Sequence, residues 1–250
     1  SFTAGVKTVG TYMFYGCTAI TGTVDLADIT AVRGHAFEGA IGISALHIRA
    51  NAFGAPGESA FKGCVGLTTL TIPLTVNAVG SAPTKPAFEN CTSITSISFV
   101  GTGAGSPYTD GVNGTNLKTP WYFSRANVIS VSFGPGITEI GSNTFRDCTG
   151  IAGDVDVSSV RTIGTYAFSG CDRMTGITGN SVTTMGAHAF ERSSAIVEVV
   201  MPALVSVPEY AFFECASLTN ATLTACTSVG AHAFERSGIN NVNNEGTGYS

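Results

Sequence analysis

Residues 163–171 have the sequence IGTYAFSGC, and close variants of this segment recur along the whole 250-residue chain. The nearest variants are VGTYMFYGC at residues 9–17, MGAHAFERS at 185–193 and VGAHAFERS at 229–237. A repeat of roughly 20 to 50 residues is typical of solenoid proteins, in which each repeat forms one coil. Alignment on the phenylalanine gives nine copies, at Phe14, Phe37, Phe61, Phe88, Phe145, Phe168, Phe190, Phe212 and Phe234.

The spacing of the phenylalanines shows one interruption. By subtraction, the successive intervals are 23, 24, 27, 57, 23, 22, 22 and 22 residues. We interpret the interval of 57 as one repeat plus a loop insertion at about 101–126, which begins GTGAGSPYTDGVNGTN and is rich in turn-forming Gly, Pro, Asp and Asn. Because the repeat resumes beyond the insertion, we predict a single solenoid over residues 1–250, from which the insertion projects.

Each position of the repeat has a physical interpretation. A glycine lies four residues before the phenylalanine in six copies, where a turn requires either positive φ or a close approach of two backbones. A small residue lies three residues after it, which is cysteine in six copies and Ala40, Ser193 or Ser237 in the others. An alternating segment follows, such as LTTLTIP at 67–73, and predicts a strand with Leu70 and Ile72 inward.

This pattern predicts coils that each contain a short strand, a turn, and a helical or 3₁₀ turn that carries the phenylalanine. One coil cannot bury its own apolar face, so stability must come from stacking. We expect the strands to pair in parallel along one curved sheet at about 4.8 Å. Ten strands are predicted, at residues 20–26, 43–48, 67–72, 94–99, 128–133, 151–157, 174–178, 196–201, 218–223 and 239–242.

The pattern [IVM]-G-x-x-A-F-x-x-C followed by L-x-x-[IL]-x-[IL]-P resembles the BspA-like, or Treponema-type, class of leucine-rich repeats over residues 6 to about 242. The segment TPWYF at 119–123, leading into 128–145, also resembles a segment that recurs in that family. The resemblance supports an α/β-type solenoid: a right-handed leucine-rich-repeat superhelix of about nine to ten coils, with a parallel β-sheet on its concave side and short helical or 3₁₀ turns on the other. The departures are Pro208 in place of the glycine and a scarcity of leucine.

Composition excludes several classes of partner. Only 12% of residues are charged, the formal net charge is −5, and no cluster of Lys and Arg exists, which argues against nucleic acid. No apolar run reaches the roughly 18–20 residues that span a bilayer. The chain opens without an initiator Met or a signal-peptide pattern, so we expect it to be part of a longer polypeptide. We expect no cofactor.

The cysteines and histidines follow the repeat, so we interpret them as structural. Six of the seven cysteines share one repeat position, no C-x₂₋₄-C pair suggests a metal site, and parallel side chains suit a disulfide between neighbours such as Cys64 and Cys91 poorly. Cys226 is interpreted as a small core residue. Three histidines precede the phenylalanine and are interpreted as solvent-facing turn residues: His35, His188 and His232. No nucleophile, base and orienting group converge, so we predict that the protein is not an enzyme.

The candidate binding residues are those that the repeat does not dictate. The first group is the outward side of the strands, on the concave face, where solenoids commonly bind. The alternative is that Ser and Thr there are simply good exposed strand residues. This group comprises Thr23, Asp25, His47, Arg49, Thr69, Thr71, Ser96, Ser98, Ser130, Ser132, Asp154, Asp156, Thr178, Glu198, Asn220 and Thr222.

The second candidate group is aromatic and lies in the insertion: Tyr108, Trp121 and Tyr122. Exposed aromatic residues favour recognition. The alternative for Trp121 is that it packs over the core where the repeat is interrupted, because tryptophan is highly buried on average.

Three hypotheses of function follow. The resemblance implies a cell-surface or secreted adhesion module that binds a protein or glycan ligand, including ligands from a host. The second hypothesis is a structural spacer within a larger surface protein or fibre. The third, an enzyme, would require the 101–126 loop to fold over the sheet and build a pocket.

Overall fold

The computed structural model describes residues 5–48, 57–73, 87–101, 119, 121–239 and the backbone of 241–243. They belong to two compact units, Ser1–Gly136 and Ile137–Ser250, each of which is a parallel β-solenoid. A single continuous solenoid over 1–250 with one insertion stays a prediction.

The strands of the first unit form two parallel sheets. The five-stranded sheet has the order β2-β4-β5-β6-β7, and β1 pairs with β3. The bounds are β1 (Thr8–Val9), β2 (Gly22–Asp25), β3 (Ala31–Val32), β4 (Ile43–His47), β5 (Thr69–Pro73), β6 (Ser96–Val100) and β7 (Ser130–Phe133).

The second unit repeats this plan. Its five-stranded sheet has the order β9-β11-β13-β15-β17, and shorter strands form the ladders β8-β10-β12 and β14-β16. The bounds are β8 (Glu139–Ile140), β9 (Ala152–Asp156), β10 (Thr162–Ile163), β11 (Arg173–Thr178), β12 (Thr184–Met185), β13 (Glu198–Val200), β14 (Ser206–Val207), β15 (Asn220–Thr222), β16 (Ser228–Val229) and β17 (Asn241–Asn243).

All ten predicted strands are confirmed, and all pair in parallel. Leu70 and Ile72 are buried, as the alternating pattern predicts, while the alternate residues Thr69 and Thr71 point outward and are half-buried. The expected single sheet is wrong, because the ten strands form two sheets of five. Seven two-residue strands just before the glycine position (β1, β3, β8, β10, β12, β14 and β16) were not predicted, because two residues are too few to show an alternating pattern.

The predicted helical turns at the phenylalanines are also wrong. In the described part of the chain the one helical element is the 3₁₀ turn Tyr122–Ser124. In the coil of Phe168, the amides of Phe168 and Gly170 donate to carbonyls of the next coil at 2.8 Å, while the amide of Ala167 donates to Gly164 within its own turn. Left-handed residues two before and two after the phenylalanine, here Tyr166 (φ 55°) and Gly170 (φ 72°), interrupt any right-handed helix.

The phenylalanines form a buried column in each unit. Successive rings lie parallel, with centroids 5.3 Å apart between Phe190 and Phe212 and between Phe212 and Phe234. The glycine four residues earlier has no positive φ; in most of the copies that have it, it is required because two backbones meet there. A Cβ on Gly186 would lie 2.4 Å from the amide nitrogen of Thr165 in the preceding coil.

The repeat histidines form a second, partly buried column. The rings of Tyr166, His188, Tyr210 and His232 stack with centroids 4.5, 4.9 and 4.8 Å apart. The His188 Nδ1 lies 2.9 Å from the Glu191 carboxylate, and its side chain is 22% exposed. The prediction that the repeat histidines face solvent is therefore wrong for His188 and for His35, whose side chain is 17% exposed. Their role in the stack accounts for their recurrence.

The small residue three positions after the phenylalanine is a hydrogen-bond donor in most coils. The thiols of Cys64, Cys171 and Cys215 and the hydroxyl of Ser193 each donate to the carbonyl of the phenylalanine one coil earlier. For Ser193 and Phe168 the distance is 2.7 Å, and Ser193 also accepts from the Cys171 amide at 3.2 Å. The interchange of Cys and Ser therefore reflects donor capacity as well as size.

Replacing Ser193 by alanine should lower the free energy of unfolding by about 1–3 kcal/mol, because it leaves the buried Phe168 carbonyl without this donor and the Cys171 amide without this acceptor. Ser193→Cys restores a weak donor and should be milder. Ser237→Ala is the matched control, since Ser237 occupies the same repeat position but bonds the Phe234 carbonyl of its own coil. Urea denaturation checks this; equal effects at Ser193 and Ser237 would contradict it.

Trp121 is part of the core in the interval where the phenylalanine spacing is interrupted. Its ring is fully buried and packs edge-on against Phe99 at 5.6 Å. The Ser124 amide donates to the Trp121 carbonyl, as the amide of Cys64 does to Phe61 in an ordinary coil. The alternative interpretation of Trp121, as part of the core, is thus the right one.

Candidate functional site

The outward-pointing side chains of the long strands form two rows, which together we name the outer face. In the first unit the first row is set by the strand register and contains Thr23, Ala45, Thr69, Ser96 and Ser130. The second row lies two residues further along each strand and contains Asp25, His47, Thr71, Ser98 and Ser132.

Hydroxyl groups dominate the outer face of the first unit. Ser130 Oγ donates to Ser96 Oγ at 3.1 Å, and Ser132 Oγ donates to Ser98 Oγ at 3.0 Å. Asp25 accepts from the amide of Ala27 at 3.0 Å, so its carboxylate also stabilises the turn after β2. The outer face of the first unit is therefore short-chained and carries little charge.

The outer face of the second unit is acidic. Its first row contains Asp154, Gly176, Glu198 and Asn220, and its second row contains Asp156, Thr178, Val200 and Thr222. The two rows hold three carboxylates, and the one basic side chain nearby is the exposed Arg173, which lies at the start of β11 outside the two rows. Every aligned core position beneath them is apolar, namely Val155, Ile177, Val199 and Ala221.

Two of these carboxylates already have partners. Asp154 Oδ1 accepts from the Thr175 hydroxyl at 2.7 Å and overhangs Gly176, where a Cβ would come within 2.7 Å of it. Asp156 accepts from the amide of Ser158 at 2.8 Å and so caps the turn after β9. Glu198 is exposed, and Asp154 and Asp156 keep their exposure despite these bonds.

Of the second candidate group, the two described residues, Trp121 and Tyr122, do not form an exposed aromatic site. Trp121 is buried in the core, and Tyr122 is half-buried beneath the guanidinium of Arg125, 4.3 Å from its ring centroid. Tyr108, in the insertion, and Arg49, from the outer face, lie outside the described residues. The 101–126 loop proposed to cover the sheet falls mostly outside them as well.

The cysteines are free thiols, and all except Cys17 are buried, including Cys226. Burial raises the pKa of the Cys215 thiol to about 12, and burial together with the neighbouring Cys148 raises the pKa of Cys171 well above its ordinary value. A hydrogen bond with the Cys64 side chain, together with burial, raises the pKa of Cys91. A thiol that is buried and protonated is a poor nucleophile.

We expect a thiol reagent at about pH 8 to modify one cysteine quickly in the native protein, Cys17, because it alone is partly exposed. The other six should react only on unfolding. Mass spectrometry after a short labelling pulse counts the modified thiols, and Cys17→Ala should abolish the fast label. Rapid modification of a second residue would contradict the buried positions described above.

The described residues contain no group of three or more His, Cys, Asp or Glu side chains that could hold a metal ion. None of their helical segments has the length and apolar character that crossing a bilayer requires.

Comparison with known proteins agrees with the repeat pattern. A family model described as the BspA type leucine rich repeat region matches six copies, over residues 1–104 and 153–248. A leucine-rich repeat protein from Bacteroides ovatus is 19% identical, with 92% of this chain and 68% of that chain covered and a TM-score of 0.52. A T. pallidum leucine rich repeat protein is 19% identical over 85% and 80% of the two chains, with a TM-score of 0.49. No curated protein sequence matches the chain.

Proposed function

The chain belongs to the BspA type leucine-rich-repeat family, and we propose that it is a cell-surface or secreted recognition module that binds a protein or glycan ligand across its outer face. The proposal rests on one observation, which is the contrast between the two sides of the same strands. In the second unit, core positions in successive coils carry apolar side chains, whereas the outward positions differ in charge and size from coil to coil.

The second unit shows this contrast most clearly. Across β9, β11, β13 and β15 the buried position is Val155, Ile177, Val199 and Ala221, whereas the outward position beside it is Asp154, Gly176, Glu198 and Asn220. Burial between coils constrains the apolar series, whereas the carboxylates of the outward series are exposed. The outward residues can therefore vary to suit a ligand, and repeat proteins commonly use such extended surfaces for binding.

The chemistry of the outer face indicates which ligand groups suit it. Carboxylates accept hydrogen bonds, and bonds to charged acceptors are roughly twice as strong as neutral ones. The short or absent side chains between Asp154 and Glu198 leave these carboxylates accessible. Ligand groups that donate hydrogen bonds fit there, such as the ammonium and guanidinium groups of a protein or the hydroxyl groups of a glycan.

The proposal is tested by incubating the whole chain with a glycan array and with immobilised extracellular-matrix proteins. We expect reproducible binding that weakens about ten-fold or more in Asp154→Asn/Glu198→Gln, which removes two charges with little change of shape. The control Asp28→Asn/Glu209→Gln removes two exposed carboxylates that lie off the strands and should bind normally.

Three outcomes are distinguished. Loss in the outer-face variant alone supports recognition through this face. Equal binding by both variants places the ligand elsewhere and contradicts the proposal. Absence of binding to every probe favours the alternative, a structural spacer, for which the internally bonded Asp154 and Asp156 would serve only the fold.

A further inference from the structure

A polar hollow lies beside the phenylalanine-bearing turns of the second unit, away from the outer face. It has a volume of about 220 Å³ and its floor is formed by Ser169 and Gly170. One wall carries Arg146 and Asp147 from the preceding coil, and the other carries Glu191 and Arg192 from the following coil. We name it the 169–170 hollow.

The hollow arises from a departure from the repeat. The two positions after the phenylalanine hold at least one side chain longer than serine in every other copy, whereas here they are Ser169 and Gly170. A Cβ on Gly170 would lie 2.9 Å from Asp147 Oδ1, so the space depends on this glycine. The stacking of the coils does not require such a gap.

The chain contains its own comparison for this position. The octamer GAHAFERS occurs at 186–193 and again at 230–237. Before the second copy, the equivalent floor residues are Phe213 and Glu214, which fill the space: Arg236 Nη1 lies 2.7 Å from Glu214 Oε1, and its guanidinium lies 5.6 Å from the Phe213 ring centroid. The first octamer thus lies beside an open space above Ser169 and Gly170. The second, identical octamer lies beside a space that Phe213 and Glu214 fill.

We propose that the 169–170 hollow binds a neutral sugar residue of a glycan. Its walls alternate donors and acceptors, with guanidinium groups at Arg146 and Arg192 and carboxylates at Asp147 and Glu191. Sugar hydroxyls both donate and accept hydrogen bonds, so one ring can satisfy both kinds of wall. This site is separate from the outer face, and the outer-face substitutions do not touch it.

The charges of the hollow disfavour ionic ligands. With Asp172 included, its lining holds two guanidiniums and three carboxylates, a formal net charge of 2 − 3 = −1. An anion would meet the carboxylates, and a cation would meet the two arginines. Several of these groups are already held in place: Arg146 lies over the Tyr166 ring at 4.8 Å, Glu191 bonds His188, and Arg192 Nε lies 3.4 Å from Glu214. Such pre-positioned groups lose little freedom when a ligand binds.

The test is a titration of the isotope-labelled chain, followed by the NMR signals of its backbone amides. The probes are methyl β-D-glucopyranoside, methyl β-D-galactopyranoside and methyl α-D-mannopyranoside, each raised to about 50 mM, well above a millimolar dissociation constant. Acetate and glycinamide serve as anionic and cationic probes. We expect at least one glycoside to shift the Gly170 and Arg192 amides in a saturable way, and both ions to shift them less.

Two matched substitutions make the test specific. Ser169→Phe/Gly170→Glu copies the floor that the fold already accepts before the second octamer, where Glu214 has a φ of 59°, and should abolish the shifts while circular dichroism stays unchanged. Arg192→Gln should weaken binding about ten-fold, whereas Arg236→Gln, at the same place in the second octamer, should not.

The proposal is overturned if no glycoside shifts these amides, if either ion shifts them more strongly, or if Arg192→Gln and Arg236→Gln bind alike. The arginine pair keeps the test decisive even if the filled-floor variant fails to fold.

Discussion

Replacing Phe212 by alanine should lower the free energy of unfolding by about 3–5 kcal/mol, the range for removing a buried phenylalanine from a packed core. The Phe212 ring is fully buried between Phe190 and Phe234, with centroids 5.3 Å away on each side. Truncation removes two stacked contacts and leaves a cavity that rigid neighbouring coils cannot close. Urea denaturation, followed by circular dichroism, measures the loss.

The adjacent Phe213 is the matched control. It has the same side chain but is half-buried on the turn, where it contacts Tyr210 and Arg236. Phe213→Ala should lower the free energy of unfolding by only about 1 kcal/mol, because the half-buried Phe213 ring removes less apolar surface from water than the fully buried Phe212 ring does. A loss at Phe212 no larger than that at Phe213 would contradict the buried column.

The second large effect is expected at Gly186. Its added Cβ would lie 2.4 Å from the Thr165 amide nitrogen, and the atom in the way is backbone that cannot rotate aside. Forcing neighbouring coils apart should lower the free energy of unfolding by about 3 kcal/mol, at the upper end of ordinary overpacking. The opposing effect, a less flexible unfolded chain, is worth only about 0.4–1 kcal/mol.

Gly10 provides the control for this substitution. It occupies the same repeat position, but the nearest atom to its added Cβ is the flexible Met13 Cε at 3.4 Å. We expect Gly10→Ala to change stability by less than about 1 kcal/mol. Similar melting midpoints for Gly10→Ala and Gly186→Ala would show that close coil approach is not the reason for the glycine.

The long strands were predictable because their physics is local. Alternation of apolar and polar residues over five or six positions indicates a half-buried strand, and Leu70 and Ile72 face inward as that pattern requires. The outer-face rows follow from the same alternation combined with the repeat interval. Neither the alternation nor the repeat interval predicts where one sheet ends and the next begins, because the pattern is the same in every coil.

The turns were mispredicted because their decisive feature has no reliable sequence signal. A left-handed backbone conformation usually indicates glycine. Two residues before the repeat phenylalanine, however, it is adopted by His35, Tyr166 and His188. Hydrogen bonds to the next coil and stacking of the aromatic rings hold these residues in place, and both depend on neighbouring coils. The position of Trp121 does not follow from the sequence for a similar reason, because its burial against Phe99 depends on a neighbouring coil.

The 169–170 hollow likewise depends on neighbouring coils and has no local signal in the sequence. Ser169 and Gly170 are unremarkable as sequence, and their effect appears only when the charged residues of the neighbouring coils stand on either side. The duplicated octamer was visible in the sequence, but only the structure shows that its two copies face different floors. The effect of a departure from the repeat can therefore be seen only when the neighbouring coils are in place.

The central claim is that the fold is a stack of exchangeable coils, and removal of whole coils tests it most directly. Deleting residues 186–229 removes 44 residues, or two coils, and joins Met185 to the second octamer, so that the sequence from Thr184 through the octamer is unchanged. Modular stacking predicts a folded protein with the same circular dichroism per residue and a urea m-value lower by about a fifth, in proportion to its length. Loss of the cooperative transition, or a collapsed chain without β structure, would contradict the claim.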